Sequence, residues 1–435
     1  MTKPLRLGVA GLGVVGTSLT QLLQRRANAI AVSAGRPMTL AGYSARRRRD
    51  GRPEIGDARF YANAIELAAE GEIDAFVELI GGADGVALEA VKAALARGLP
   101  VVTANKAMLA AHGLELAALS EAHDAPLYFE AAVCGGIPAI KTLRESLAGN
   151  AIERVSGILN GTCNYILSRM ESERLPFDVC LADAQRLGYA EADPTFDVGG
   201  FDTAHKLAIL ASLAFGSKID AEAVAVEGIE SITLADLIAA DELGFRIKLL
   251  GVAERTPHGV EQRVHPTMVD KRAPLAQTMG VLNAVAIAGD AIGELTLVGP
   301  GAGGDPTASS VASDLVDVAR GTRLPAFGRP VAALTEPDVA PLQRHEGGYY
   351  VRLEVVDRPG AMGAIAASFG ERKVSLEAIM QKRATKEAAA AGVVPVVLMT
   401  HGAKETSVRD ALARTVAEGV VRDRPQVIRI EREPV

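Results

Sequence analysis

The stretch LRLGVAGLGVVGTSLTQLL, from Leu5 to Leu23, leaves few folds open. Leu5 to Ala10 is a short, mostly apolar run that reads as a strand, and Gly11-x-Gly13-x-x-Gly16 follows it directly. A helix-like segment then continues through Leu23. Between a strand and a helix, glycines at this spacing have separate tasks. Gly11 permits the tight turn, Gly13 lets the backbone approach a pyrophosphate, and Gly16 permits close helix–strand packing. The unpaired N–H groups and positive dipole end of the helix favour phosphate there. The bland alternative is a glycine-rich turn that binds nothing. The charge-free run from Leu7 to Gln24 has the length of a membrane span, but Gly8, Gly11, Gly13, Gly16 and several polar residues interrupt it. It also lacks the cleavage site of a signal peptide.

Strand-like runs recur at Thr39–Tyr43, Ala75–Ile80 and Pro100–Thr103, with Ala-rich helical stretches between them. This alternation predicts an α/β fold with an N-terminal Rossmann-like parallel sheet over residues 1–134. Over residues 135–322, helices such as 202–215 interleave with β-rich pieces at 247–253 and 294–299, the pattern of an α+β domain. Pro325, Pro330, Pro337 and Pro341 mark a connector at 323–347, since closely spaced prolines sustain neither a helix nor a central strand. Residues 348–435 read in order as strand YYVRLEVV, turn DRPG, helix AMGAIAASFGER, strand-rich VVPVVLMT, a helix near 406–418 and strand QVIRIER, a βαββαβ module. A net charge of −7 argues against nucleic acid or an anionic membrane as partner. Cys134, Cys163 and Cys180 show no metal-finger spacing and fit a reducing cytoplasm, so a cytoplasmic protein is expected.

The second strand runs into Ser44-Ala45-Arg46-Arg47-Arg48-Arg49. A carboxylate at that strand end would repel a 2′-phosphate, whereas arginine pairs with it bidentately. Arg46 and Arg47 therefore favour NADP(H) over NAD(H); for Arg48 and Arg49 a solvated basic loop is the equal alternative. Farther on, GYAEADPTFDVGGFDTAHKLAIL crowds Glu191, Asp193, Asp197 and Asp202 ahead of Lys206 and an apolar run. Asp202 and Lys206 are four apart and share one helix face. An acidic loop facing a helical lysine suits a substrate that carries an ammonium and a reacting carbonyl. The carboxylates would hold the ammonium, and protonated Lys206 would donate to the carbonyl oxygen during hydride transfer. A plain surface ion pair is the competing reading. His205 lies about a quarter-turn away and reads as structural.

Taken together, GLGVVG, ELIGG (78–82), TANKAML (103–109), EAAVCGGIPAI (130–140), GILNGTCNYIL (157–167), the acidic stretch and GPGAGGDPTASSVASDL (299–315) resemble the homoserine dehydrogenase family, in order over about 320 residues. The resemblance implies reversible NAD(P)H-dependent reduction of L-aspartate 4-semialdehyde to L-homoserine, on the route to threonine, methionine and isoleucine. It implies Lys206 as proton donor and acceptor, and Glu191 and Asp202 as substrate-binding residues with Asp197, Tyr189, Gly161 and Thr162 beside them. Lys106 would lie at the cofactor–substrate junction, although the residues alone make it a surface lysine. Leu12, Val14 and Val15 would follow the pyrophosphate; Gly188, Gly301 and Gly303 would touch the nicotinamide half unless they are plain turn glycines. A monovalent cation (Na+ or K+) would sit at Glu130, Val133, Gly135 and Ile137, mainly on backbone carbonyls, where an ordinary loop is the alternative. Residues 135–322 would catalyse and dimerise. The C-terminal module resembles an ACT domain, with Arg358 to Gly360 as its matching turn; it would bind threonine and inhibit the enzyme, or only dimerise. A homodimer or homotetramer is expected. No aspartate-kinase segment is seen, so the expectation is a monofunctional enzyme.

Two other readings compete: an oxidoreductase acting on a related amino-acid semialdehyde, and a non-catalytic amino-acid sensor. A substrate panel separates the first, and threonine binding without turnover would mark the second.

Overall fold

The structure is a computed structural model that describes residues 3–49, 52–341, 345–382 and 386–431. Residues 342–344 of the expected connector, and 383–385 and 432–435 of the expected C-terminal module, lie outside the described residues.

The alternating N-terminal pattern folds into β1 (Leu5–Ala10), β2 (Met38–Ser44), β3 (Arg59–Tyr61), β4 (Ala75–Glu78), β5 (Val101–Thr103) and β6 (Leu127–Tyr128). They pair in the order β3-β2-β1-β4-β5-β6, and every pairing is parallel. Parallel strands need helical crossovers that cover both faces, which is why β4 and β5 are apolar and buried almost throughout. The strand order reverses between β1 and β4. The carboxyl ends of those two strands therefore open a crevice at a topological switch point, and Gly11 and Glu78 stand at its edge.

The second sheet takes β7 (Ile152–Ile158), β8 (Ala225–Val226), β9 (Phe245–Thr256), β10 (Gly259–Asp270), β11 (Leu282–Gly289) and β12 (Gly293–Pro300). To these it adds β13 (Glu346–Val356), β14 (Leu376–Gln381), β15 (Val393–Thr400), β16 (Ala403–Lys404) and β17 (Gln426–Glu431). Its main order is β12-β11-β7-β9-β10-β17-β13-β15-β14, with β8 on β10 and β16 on β13. β9 and β10 form a long antiparallel hairpin, twelve residues on each side, of which the sequence pattern showed only a central piece. The last strand, β17, pairs in parallel with β10, Thr267 opposite Arg429 and Val269 opposite Glu431. Its other edge pairs antiparallel with β13. The C-terminal module is thus stitched into the central sheet by the strand that ends it.

Helix Phe201–Phe215 lies against this sheet and is buried over most of its circumference, from Leu207 through Phe215. A helix that is apolar all round belongs inside a protein. Its polar first turn, with Asp202, His205 and Lys206, is the exception. Among the described residues no helix is long and apolar enough to cross a membrane.

Candidate active site

The glycine turn meets its steric requirements one by one. Gly11 has φ +100°, and a Cβ there would lie 2.3 Å from the Leu79 carbonyl oxygen. A Cβ on Gly16 would lie 2.0 Å from the Gly11 carbonyl oxygen, so the tight contact is between helix and turn. Gly13 has nothing within 4 Å on that side, which leaves the approach to the helix open. No side chain caps the N-terminus of helix Val14–Arg25, and its first N–H groups face that opening. Leu12 is buried, Val15 half-buried and Val14 exposed.

A second glycine loop closes on the first. A Cβ on Gly304, the first residue of helix Gly304–Arg320, would lie 2.4 Å from Ser18 Oγ and 3.1 Å from a Val14 methyl. Gly301 presses on Asn283, and a Cβ on Gly135 would lie 2.4 Å from the Gly301 carbonyl oxygen. Gly136 N–H donates to the Pro300 carbonyl at 3.0 Å. Segments 135–136 and 300–304, far apart in sequence, therefore meet backbone to backbone beside the nucleotide turn. Gly303 and Gly188 are exposed. At the end of β2, Arg46 and Arg47 are exposed and have no side-chain partner among the described residues. Arg48 lies over the Phe60 ring at 5.8 Å, and Arg49 N–H donates to Tyr43 Oη at 2.8 Å.

The reaction centre is built on Asp202. Lys206 Nζ donates to Asp202 Oδ2 at 2.7 Å and to the Leu159 carbonyl at 2.7 Å. Lys106 Nζ lies 3.1 Å from the other oxygen, Oδ1. Asn160 Nδ2 donates to Asp202 Oδ2 at 2.9 Å and to Asp197 Oδ1 at 2.8 Å, tying two carboxylates that would otherwise repel. Burial opposes the charge on Lys206, but Asp202 outweighs it and holds the amine above its ordinary pKa, so it stands as an ammonium. Burial likewise opposes the Asp202 charge, and Lys206, Lys106 and Asn160 pull that carboxyl well below the usual range. Asp197 moves the other way, raised chiefly by burial. A buried carboxylate gripped from both sides by lysines and bridged to Asp197 is no surface ion pair.

Lys106 reaches the centre because its helix, Lys106–Ala122, is pinned at its start. Asn105 Oδ1 accepts from Met108 N–H at 3.1 Å, and Asn105 N–H donates to Thr103 Oγ1 at 3.0 Å. Thr103 in turn donates to Glu78 Oε2 at 2.5 Å, and Glu78 Oε1 accepts from Ile80 and Gly81 N–H. Glu78 is fully buried at the end of β4 and so connects the switch-point crevice to the centre.

The remaining expected residues are spread around this core. Thr162 is buried and donates to the Tyr189 carbonyl at 2.7 Å, while Gly161 lets helix Gly161–Glu173 start against the Val281 carbonyl. The Tyr189 ring is exposed and packs edge-on against Tyr165 at 5.1 Å. Glu191 is exposed, and its side chain has no partner among the described residues. Glu130 is buried, and its two oxygens accept from Ile140 N–H at 2.9 Å and Lys141 N–H at 2.7 Å. Burial and Asp314 push its carboxyl up to about 7. Val133, Gly135 and Ile137 are buried beside it. His205 stacks edge-on with Phe196, and burial lowers its pKa, as suits a structural residue.

Both segments of the chain match family models: residues 11–130 the NAD-binding domain of homoserine dehydrogenase, and 138–316 homoserine dehydrogenase itself. A homoserine dehydrogenase from Pseudomonas aeruginosa is 45% identical over 96% of this chain and 97% of its own length. The chain belongs to the homoserine dehydrogenase family. The crystal structure of a homoserine dehydrogenase from Thiobacillus denitrificans superposes with TM-score 0.91 at 41% identity, covering 99% of this chain and 98% of that one. A hyperthermophilic archaeal homoserine dehydrogenase solved with NADPH matches at 28% identity and TM-score 0.63, covering 74% of this chain and 99% of its own. As a homoserine dehydrogenase, the protein is an NAD(P)-dependent oxidoreductase of homoserine and aspartate semialdehyde.

Two residues of the centre escaped the sequence reading. Glu78 and Asn160 both lie inside recognised motifs, ELIGG and GILNGTCNYIL, yet no role was read for either. Asn160 carried a usable signal, because an Asn ahead of a helix is a preferred cap and its Oδ1 accepts from Cys163 N–H at 2.8 Å. Asn160→Ala should lower kcat/KM for aspartate semialdehyde by about tenfold or more, since two charge-assisted hydrogen bonds of the order of 1.5–3 kcal/mol each disappear. Steady-state rates with saturating NADPH measure the effect.

Proposed function

We propose that Lys206 is the general acid of semialdehyde reduction and the general base of homoserine oxidation. The observation that carries this is its ammonium, half-buried at the cleft, 2.7 Å from Asp202 and beside a second lysine on the same carboxylate. The bound nicotinamide supplies or accepts the hydride at the reacting carbon. Lys206 gives a proton from Nζ to the aldehyde oxygen as it becomes an alcohol, and takes it back in reverse. Asp202 keeps Lys206 charged and aimed, Lys106 stands at the cofactor–substrate junction, and Glu191 and Asp197 hold the substrate ammonium with Tyr189, Gly161 and Thr162 around them. Asp202 adds to that binding by its charge while its oxygens hold the two lysines.

The cofactor lies along Gly11, Leu12, Gly13, Val14, Val15 and Gly16, with Gly188, Gly301 and Gly303 at the nicotinamide half. The open side of Gly13 and the uncapped helix behind it fit a pyrophosphate. Arg46 and Arg47, without a side-chain partner among the described residues, fit a 2′-phosphate and favour NADP(H). Replacing both by alanine should raise the KM for NADPH by about thirtyfold while leaving that for NADH nearly unchanged, because charge-assisted bidentate pairs are lost from one cofactor only. Initial rates with each nucleotide decide it.

Carbonyl oxygens of the buried loop of Glu130, Val133, Gly135 and Ile137 would hold a monovalent cation, hard oxygen donors with the Glu130 and Asp314 carboxylates close by. The chain divides into residues 1–134, 135–322, the connector 323–347 and an ACT module at 348–435, whose own core includes Tyr349, Leu353, Ile365 and Phe369. An open cleft at Asp357, Arg358, Gly360, Met362 and Gln381 is where an amino acid such as threonine would bind. The enzyme works as a homodimer or homotetramer in the cytoplasm, where three buried free thiols stay reduced. Oxidation of NADPH and NADH with aspartate semialdehyde, with and without threonine, tests the whole reading. Turnover insensitive to threonine would remove the regulatory part, and no turnover would remove the rest.

A further inference from the structure

Two arginines of the C-terminal module converge on one carboxylate of the catalytic unit. Arg429 on β17 is buried, and its Nη2 lies 3.1 Å from Glu227 Oε1. Arg409 Nη2 lies 3.6 Å from the same oxygen. Glu405 braces both, accepting from Arg429 Nε at 2.9 Å and Nη2 at 2.7 Å and from Arg409 Nε at 2.7 Å. Glu227 follows β8, and its N–H donates to the Val264 carbonyl on β10 at 2.7 Å.

The chain beyond Glu227 leads straight to the reaction centre. Ile229 N–H donates to the Val198 carbonyl at 2.9 Å. Gly228 packs so closely that a Cβ would lie 2.5 Å from the Val198 carbonyl oxygen and 2.8 Å from Gly199 Cα. Val198 adjoins Asp197. Gly200, which begins the helix of Asp202 and Lys206, rests on Val226 and Val264, where a Cβ would meet methyls at 3.1 and 3.0 Å. Gly200 N–H also donates to the Asp197 carbonyl at 2.9 Å. The loop that presents Asp197 and Asp202 therefore sits on the segment that the two arginines hold.

We propose that Glu227 is a positioning residue for the reaction centre, held in register by Arg429 and Arg409, so that the C-terminal module sets the geometry of Asp197, Asp202 and Lys206. This rests on the assignment of Lys206 as the reactive amine. Packed segments transmit such a constraint because they cannot deform continuously.

The test uses the full-length enzyme as Glu227→Ala, Arg429→Met and the double variant, with kcat and the KM for aspartate semialdehyde expressed per NADPH-binding site. Each single variant should lose about tenfold in kcat per site, a coupling of ordinary size, with NADPH affinity unchanged. The double variant should lose less than the product of the two single losses, because both substitutions break the same Arg429–Glu227 pair. Glu227→Asp should recover part of the loss. A purely structural role would instead reduce the number of NADPH-binding sites and leave each one fully active. Values of kcat and KM per site within about twofold of the parent in both single variants overturn the proposal, since coupled neighbours do not behave independently. Glu227→Gln, nearly isosteric at a half-exposed position, is read by the same criterion should the alanine variant not fold. Turnover in Lys206→Ala would strike the assignment of the centre, a different outcome from parental activity in the Glu227 series.

Discussion

Lys206→Ala is expected to lower kcat for NADPH oxidation with aspartate semialdehyde by at least about a thousandfold, within the range for a lost general acid combined with lost charge stabilisation. The geometry explains the size. Lys206 Nζ is a half-buried ammonium at the head of an otherwise apolar helix, and its contacts to Asp202 and the Leu159 carbonyl aim it without consuming all its protons. Alanine removes the proton source and the cation together. Lys106 cannot replace it from the other side of Asp202, where it meets Oδ1 and not Oδ2. Lys206→Arg keeps the charge but releases no proton near neutral pH, so it should be almost as inactive. The glycine turn lies outside this change, and NADPH titration should give parental affinity. Normal turnover in Lys206→Ala would remove the mechanism.

Asp202→Asn is expected to lower kcat by about a hundredfold and to move the alkaline fall of semialdehyde reduction to lower pH, as follows from losing a charge partner within hydrogen-bond reach. Under the proposed mechanism reduction needs protonated Lys206, so the rate should fall as pH rises through its pKa. In the parent, Asp202 overrides burial and raises that pKa. Without Asp202, burial wins and the amine loses its proton sooner. Stability changes too, because two ammonium groups are left facing each other; removing one member of a buried pair costs about 3–5 kcal/mol. Asp202 is depressed in the folded protein, so its contribution is complete above the unfolded carboxylate pKa and disappears as acid protonates it. Lys206 is raised, so its contribution is complete below the unfolded lysine pKa and disappears in strong alkali. The stability gap between parent and Asp202→Asn should thus be widest from about pH 4 up to the lowered Lys206 pKa of the variant, where loss of the proton relieves the variant, and should narrow above that point and in stronger acid. Thermal melting across that range and kcat–pH profiles check the two halves separately.

The N-terminal sheet was legible because its information is local. Apolar runs, glycine spacing and Ala-rich helical stretches each announce one element, and right-handed crossovers leave little freedom in joining them. The pairing of Asp202 with Lys206 was legible for the same reason, since helical periodicity places them together. Lys106 was not, because only β4 and β5 lying side by side bring the Glu78–Thr103–Asn105 relay to bear on it. The loop proposed for a cation had no charge pattern to mark it, and Glu130 spends its oxygens on backbone N–H groups.

Residue order alone settled the parallel nucleotide sheet, the open glycine turn and the lysine that faces a carboxylate one helical turn away. Folding in three dimensions decided that the carboxylate serves two lysines, that Asn160 bridges it to Asp197, and that the final strand joins β10. The physical reason is range. Helical faces and tight turns are written in residues a few positions apart, whereas the free N–H and C=O groups along a strand edge accept any strand that reaches them. Which one reaches β10, and what its arginines then grip, follows from packing of the whole chain.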